Sequence, residues 1–337
     1  MKSKNASSGA SGANRAGGKQ PILLLVGPTA VGKTDFGIRL AAHLDTEIIG
    51  ADSMQIYRFM DIGTGKPTLA ERAQVVHHLV DFVHPSESYS AGRFIADAMP
   101  MIHDLHQRRK VPLIVGGTGL YIRTLTDGLF TGPQADEEVR KRLKELALKD
   151  GPNILHQKLE EVDPVSAKRI HPNDKRRLIR ALEVHEITGQ PISTLQEEQR
   201  SSHRAAYRFI PFGLTVSRNR LYTIIEDRVD RMIEMGLVDE VRSLLKMGIE
   251  PSAVSMQGLG YKEMIPVITG GRKLEEAIEL LKKETRHFAK RQMTWFGADK
   301  RIQWIDIGSF RSRNTAAEFL FTETDRILAN TEGQTSE

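Results

Sequence analysis

The chain of 337 residues contains no cysteine. It can form no disulfide framework and no cysteine-ligated zinc or iron–sulfur centre. No apolar run is long enough to span a bilayer, and no apolar leader core follows Met1. These absences fit a cytoplasmic setting best. Internal repeats are also missing. The length allows a full core and a second lobe, and the composition is ordinary for a soluble globular protein. Net charge is +5 with a pI near 9.3, a mild excess that permits a nucleic-acid partner without requiring one. Residues 1–20 hold no acidic residue and nothing apolar beyond Met1 and alanine. Such a segment cannot offset its ordering entropy and is expected to be a disordered tail. Its Lys2, Lys4, Arg15 and Lys19 either brush RNA phosphates or are inert, and no amphipathic face for a presequence can be drawn.

The informative stretch is Gly27-Pro28-Thr29-Ala30-Val31-Gly32-Lys33-Thr34, set between the apolar run Ile22–Val26 and a helical pattern through Phe36, Ile38, Leu40, Ala41 and Leu44. Strand, glycine loop and helix with this spacing make a phosphate cradle. Loop amides wrap the anion at a helix N-terminus, Lys33 adds charge, and Thr34 offers a hydroxyl to Mg²⁺. Asp52 follows a short strand near 46–50, at the sheet edge where open α/β folds place their chemistry. From position alone it is a general base, a metal ligand or a helix cap. Asp61–Pro67 reads as a turn-rich wall of the site. His77–Phe82 reads as a strand, whose paired histidines point to opposite faces and so do not suggest a metal. A helix is expected over Ala91–Gln107. The buried strand Val111–Val115 ends in Gly116-Gly117-Thr118, not in the carboxylate that positions Mg²⁺ in motor ATPases. The double glycine allows close backbone approach, and Thr118 brings a hydroxyl to the edge that holds Lys33 and Asp52.

From Gln134 to Arg200 the pattern is helical and highly charged, with Val139, Leu143, Leu146 and Ala147 on one face and Leu155 and Leu159 on another. Arg176, Arg177 and Arg180 form a basic ridge backed by Leu178 and Leu182. It suits RNA phosphates, or it is simply a solvated face. Strand signals resume at Arg208–Thr215. Arg218, Arg220, Arg228 and Arg231 lie on or before the next helix, near Asn219–Met235, and another helix follows over Val238–Met247. A glycine loop, Ser255–Lys262, precedes a long helix, Lys273–Phe296. Its Leu281, Phe288 and Trp295 repeat every seven residues and should face the core, with Lys283, Arg286 and Lys290 opposite and Arg291 flanking. A strand at Ile302–Ile307 and a helix over 314–329 close the pattern. The fold class is α/β, a P-loop NTPase-like parallel sheet flanked by helices, with an inserted all-α lobe. The expected divisions are a tail at 1–20, a first core part at 21–133, the lobe at 134–205, a second core part at 206–330 and a tail at 331–337.

Five stretches in order carry a resemblance: Gly27–Thr34; Asp52–Tyr57 with Asp61–Pro67; Gly116–Tyr121; Asp163–Glu183 with Thr188–Gln190; and Lys290–Trp295. From about Pro21 to Trp304 the chain resembles the bacterial tRNA dimethylallyltransferases, also called tRNA isopentenyltransferases, of the IPP transferase family. The resemblance implies transfer of the dimethylallyl group from its diphosphate to N6 of adenosine 37 in tRNA. Gly27 to Thr34 would hold the donor's diphosphate with Mg²⁺ on Thr34, and Lys33 would stabilise the charge of the leaving group. Prenyl transfer often relies on D-D-x-x-D motifs; this chain has no Asp-Asp pair, so the phosphate loop must take that role. By resemblance Asp52 takes the proton from N6, Thr118 contacts the donor's bridging oxygen and the target nucleotide, and Arg228 binds the donor. Asp52, Ser53, Met54 and Gln55 would line the pocket of a flipped-out adenine. The tRNA contact would extend over Arg140, Arg176, Arg177, Leu178, Ile179 and Arg180, clamping the anticodon stem-loop. The segment from Gly258 and the helix at Lys290–Trp295 would close the RNA channel.

Two departures stand out. Many relatives carry an arginine at the position of Ile224, so that charge is absent here or supplied by Arg220. Eukaryotic relatives often carry a zinc finger, which a chain without cysteine cannot form. The enzyme is expected to act as a monomer with no obligate protein partner and no membrane. Competing readings are a P-loop small-molecule kinase, a cytokinin-type adenylate isopentenyltransferase and a non-enzymatic RNA-binding protein. Phosphate transfer without RNA would favour the first, and AMP preferred over a stem-loop the second. In the third, Asp52→Ala would leave RNA function intact.

Overall fold

The apolar run before the glycine loop becomes the middle of a sheet. The computed structural model describes residues 19–128, 132–198 and 207–332. The tail expected at 1–20, except its last two residues, the end of the lobe beyond 198 and the tail after 332 lie outside them. Strand β1 (Gln20–Val26) is buried from Ile22 onward, as a central parallel strand must be. It pairs with β4 (Leu113–Val115) on one side and with β5 (Tyr207–Thr215) on the other. With β2 (Ile48–Gly50), β3 (His77–His78) and β6 (Gln303–Asp306) it forms a six-stranded sheet of order β3-β2-β4-β1-β5-β6. Every pairing is parallel, so the C-terminal ends share one edge.

Strand alternation splits the core in two. Ile22, Leu24 and Val26 face α3 (Ala91–Gln107) and α4 (Gly119–Asp127), with Phe94, Ile102 and Tyr121 in one cluster. Leu23 and Leu25 face α1 (Lys33–His43) and α14 (Arg313–Glu332), with Phe36, Leu40 and Leu320 in the other. A short α2 (Leu69–Arg72) precedes β3. Between α4 and β5 the regular elements among the described residues are all helices: α5 (Glu137–Lys149), α6 (Pro152–Val162), α7 (Pro164–Ala167), α8 (Lys175–Thr188) and α9, which starts at 192. This inserted lobe has its own core of Leu143, Leu155, Leu159, Leu178 and Leu182. Asp136 caps α5 through the Glu138 and Val139 amides, and Asp174 caps α8 through the Arg177 amide. The chain then adds α10 (Arg218–Glu234), α11 (Leu237–Lys246), α12 (Tyr261–Ile268) and α13 (Leu274–Gly297).

Two expectations need correction. The strand read at His77–Phe82 stops at His78, because Leu79 and Asp81 turn the chain at φ 57 and 61. Asp81 then pairs with Lys66 and Arg72. The two histidines do have separate partners: His77 Nδ1 contacts the Val75 carbonyl at 2.8 Å and His78 Nε2 the Glu47 carboxylate at 2.6 Å. On α13 the seven-residue repeat misplaces the buried stripe. Leu281 is buried, but Phe288 is only partly so and Trp295 is 36% exposed. The stripe runs Ala277, Leu281, Thr285, Ala289, Gln292, Phe296, at true helical spacing with two polar members.

Candidate active site

The loop after β1 is left-handed at Gly32, φ 101, and at Ala30, φ 68. At Gly27, φ 147, a Cβ would lie 2.6 Å from the Leu214 carbonyl, so only glycine allows β5 this close. Gly32 begins α1 with no capping side chain, which leaves the first amides of the helix to an anion. Lys33 Nζ reaches back to donate to the Pro28 carbonyl at 2.8 Å. Burial pulls its pKa down to about 8; the Asp52 carboxylate opposes that fall and the Arg228 guanidinium adds to it.

Across the edge, the ends of β2 and β4 are joined by their backbones. Ala51 N–H donates to the Val115 carbonyl at 2.8 Å, and Thr118 N–H to the Ala51 carbonyl at 3.1 Å. A Cβ on Gly116 would come within 2.1 Å of that Ala51 oxygen. No helix follows Asp52, so it is not the helix cap that its position allowed; it closes a turn instead, where Oδ1 accepts the Met54 amide at 2.9 Å and the Gln55 amide at 3.4 Å. Both bonds fall on one oxygen, leaving Oδ2 for chemistry. Thr118 Oγ1 accepts from Ser53 N–H at 2.9 Å and donates to Ser53 Oγ at 3.2 Å, so its first task is to brace the turn that presents Asp52. Met54 lies against Gly258, where a Cβ would be 2.3 Å from its methyl carbon. Gln55 Nε2 donates to the Gly65 carbonyl at 3.0 Å. Arg228, from α10, donates to the Thr64 carbonyl at 3.3 Å and brings the tip of its guanidinium against Gly65. Burial lowers the Arg228 pKa and Asp52 counters it. Lys33, Asp52 and Arg228 thus form one electrostatic unit.

Two contributors escaped the sequence reading. Gln292 accepts from Thr29 N–H at 2.7 Å and donates to the Gly117 carbonyl at 2.9 Å, tying the phosphate loop to the double-glycine turn. Arg313, at the start of α14, covers Gly32, pairs with Asp35 at 3.3 Å and stands 5.6 Å over the Phe36 ring. Gln292 lies inside the Lys290–Trp295 stretch, where neighbouring charges mask it in the pattern; Arg313 carries no sequence signal. Arg220 is exposed and lies 3.5 Å from where a Gly308 Cβ would be, beyond β6.

In the lobe, Arg140, Lys144, Lys175, Arg176 and Arg180 line a groove of about 790 Å³ whose floor includes Ile179. Arg140 and Arg180 also hold the fully buried Glu183, at 2.8 and 2.7 Å. Burial alone would raise the Glu183 pKa; Arg180, the Asp136 amide and Arg140 keep it below its ordinary value. Arg177 pairs with Asp174 at 3.2 Å. Leu178, named among the RNA contacts, is 0% exposed and packs in the lobe's core, so its side chain anchors the helix and cannot touch RNA. Beside the core, a cavity of about 1080 Å³ runs between α4 and α13 over Leu24 and Val26, with Arg123, Lys290, Arg291 and Trp295 on its walls. Trp295 sits where a Cβ on Gly119 would be, 5.8 Å from the Arg123 guanidinium.

A parallel sheet with a phosphate loop after its central strand, and a carboxylate on a neighbouring strand end, defines a P-loop-type α/β enzyme. Comparison with known proteins narrows the class. The IPP transferase family model matches residues 55–299, and the isopentenyl transferase model matches residues 20–80. The chain belongs to the IPP transferase family. It is 48% identical to the tRNA dimethylallyltransferase of Carboxydothermus hydrogenoformans over 90% of this chain and 97% of that one. It is 46% identical to that of Pelotomaculum thermopropionicum over 92% and 98%. Among solved structures, the tRNA isopentenylpyrophosphate transferase of Bacillus halodurans superimposes with a TM-score of 0.72 at 40% identity, covering 95% of this chain and 100% of that one. A eukaryotic dimethylallyltransferase acting on tRNA gives 0.75 at 29% identity, covering 93% and 80%.

Proposed function

We propose that the chain transfers a dimethylallyl group from dimethylallyl diphosphate to N6 of adenosine 37 in tRNA, releasing diphosphate. The observation that carries this reading is the convergence of Lys33 and Arg228 on Asp52 at one sheet edge, beside an uncapped helix N-terminus. In the reaction the allylic C–O bond breaks, and its electron pair goes to the diphosphate. Loop amides, Lys33 and Arg228 meet that charge where it develops. N6 is a poor nucleophile because its lone pair is delocalised into the ring. As the N6–C bond forms, Asp52 accepts the proton through Oδ2. Thr118 keeps the turn in place; to reach the bridging oxygen its proton must leave Ser53 Oγ, a long bond at 3.2 Å.

A diphosphate with Mg²⁺ suits the cradle. The helix start bears no capping side chain and Thr34 presents a hydroxyl there. Among the described residues no group of three or more acidic or histidine side chains could hold a metal alone. The diphosphate would supply most ligands, as Mg²⁺ commonly accepts. When bound, the ion would share the leaving group's charge.

A stacked adenine cannot reach Asp52, so the base is flipped into the pocket formed by Asp52, Ser53, Met54 and Gln55. The lobe's groove grips the anticodon stem through Arg140, Arg176 and Arg180, with Arg177 at its border. The cavity between α4 and α13 admits the flipped nucleotide. The basic groove favours RNA over free adenylate as acceptor, and the Gly-Gly-Thr end of β4 counts against a kinase. Among the described residues no helix is long and apolar enough to cross a membrane. The enzyme acts as a monomer in the cytoplasm. Incubation with dimethylallyl diphosphate and unmodified tRNA, followed by nucleoside mass analysis, tests the reading. A prenylated adenosine at position 37 is expected; its absence, or transfer to AMP in preference to an anticodon stem-loop, defeats it.

A further inference from the structure

Glu240, on α11, lies outside every motif quoted above, yet its carboxylate collects four donors. Oε2 accepts the amides of Asp61 at 2.9 Å and Ile62 at 2.8 Å. Oε1 accepts the Gly63 amide at 3.1 Å and the Tyr261 hydroxyl at 2.7 Å. Three successive amides turned onto one anion form a nest, and here the anion is the protein's own. The wall loop is thereby held from behind. Its far end is fixed separately by Lys66, which bonds to the Tyr57 carbonyl and to Asp61 and Asp81. There is no slack at Gly63, where a Cβ would strike the Tyr261 ring at 2.6 Å.

With its amides tied back, the loop turns its carbonyls toward the site. Thr64 O takes Arg228, and Gly65 O takes Gln55. The left-handed Gly65, φ 57, leaves room for the guanidinium, one of whose terminal nitrogens would lie 2.1 Å from a Cβ there. Arg228 needs this support, since it is half-buried and Lys33 nearby carries like charge. We infer that Glu240 is a positioning residue for donor binding, acting through the loop 61–65 to aim Arg228 at the diphosphate. The inference rests on the function proposed above, but its test does not require transfer.

The test is a double-mutant cycle read by calorimetric titration with inorganic diphosphate. Glu240→Gln keeps the shape but accepts through a single oxygen. It should weaken diphosphate about tenfold, the worth of one charge-assisted hydrogen bond. In an Arg228→Met background the same change should cost less than about twofold, because the group through which Glu240 acts is gone. In transfer assays the donor KM should rise while the tRNA dissociation constant holds. Equal losses in both backgrounds would mean a merely structural role, and no loss in either would mean no role; each overturns the inference. If Glu240→Gln does not fold, Tyr261→Phe removes one of the four donors and should give a smaller loss that also vanishes without Arg228. A wild-type protein that binds diphosphate but never prenylates tRNA sinks the proposed function and leaves this inference to be judged on the cycle.

Discussion

Donor binding should weaken sharply as pH rises through 8, and Lys33 is the reason. Burial lowers its pKa to about 8 in the empty protein. At pH 7 roughly ten molecules carry the ammonium for each that carries the amine, and at pH 9 the ratio is inverted. A diphosphate wants the charged form. Dimethylallyl diphosphate stays ionised over this range, since it is esterified at one end and its terminal phosphate resembles a monoester, whose second pKa is about 6. Without added divalent cation, affinity for dimethylallyl diphosphate should therefore fall about tenfold between pH 7 and pH 9, bending near 8. Binding should take up about half a proton at pH 8 and nearly a whole one at pH 9. Calorimetry in two buffers of different ionisation enthalpy measures that uptake directly.

Stability runs the other way. The folded pKa of Lys33 lies below its ordinary value of 10.5, the reverse of a lysine that gains a partner. Between pH 8 and 10.5 the unfolded chain binds the extra proton, so this group's contribution to stability improves across that window. A loss of binding over this range therefore cannot come from Lys33's own contribution to stability. Lys33→Arg provides the control, because a guanidinium stays charged throughout. An affinity flat from pH 7 to 9, or a slope that survives Lys33→Arg, would refute the assignment.

Asp52→Asn should cut transfer by about 10²- to 10⁴-fold while tRNA still binds. Because Asp52 holds the Lys33 pKa up, the same variant should move the bend in the diphosphate titration below pH 8. Gln292→Leu leaves the Thr29 amide and the Gly117 carbonyl unpaired, each worth about 1–3 kcal/mol, so Tm should drop and donor KM rise together. Lys175→Ala with Arg176→Ala should flatten the log–log salt dependence of tRNA binding by about two and leave kcat at saturating tRNA unchanged. Leu178→Ala opens a hole in the lobe's core at a cost of about 2–5 kcal/mol; tRNA affinity should fall and diphosphate affinity should not.

What could be read in the sequence was local. Strand, loop and helix around Lys33 are contiguous, and Asp52 and Thr118 each follow a short apolar run that ends at the same sheet edge. Glu240, Gln292 and Arg313 were invisible for a physical reason: their partners include main-chain amides or close backbone far along the chain, and those leave no sequence signature. Gln292 and Thr29 are 263 residues apart. The misplaced stripe on α13 shows how such a residue could have been found. Seven-residue spacing of Leu281, Phe288 and Trp295 favours the large apolar side chains. True helical spacing from Leu281 passes through Thr285 and Gln292, which a purely apolar pattern rejects. Thr285 satisfies itself on the Leu281 carbonyl at 2.7 Å. Gln292 has no such local outlet, so its buried amide had to be spent on something outside the helix. A polar residue that breaks an otherwise apolar stripe, and cannot bond within its own turn, therefore points to a loop that needs holding. Here that loop is the phosphate cradle, and the same helix carries Lys290 and Arg291 on its exposed side. One helix thus joins the exposed basic face proposed to meet RNA to the loop proposed to hold the diphosphate.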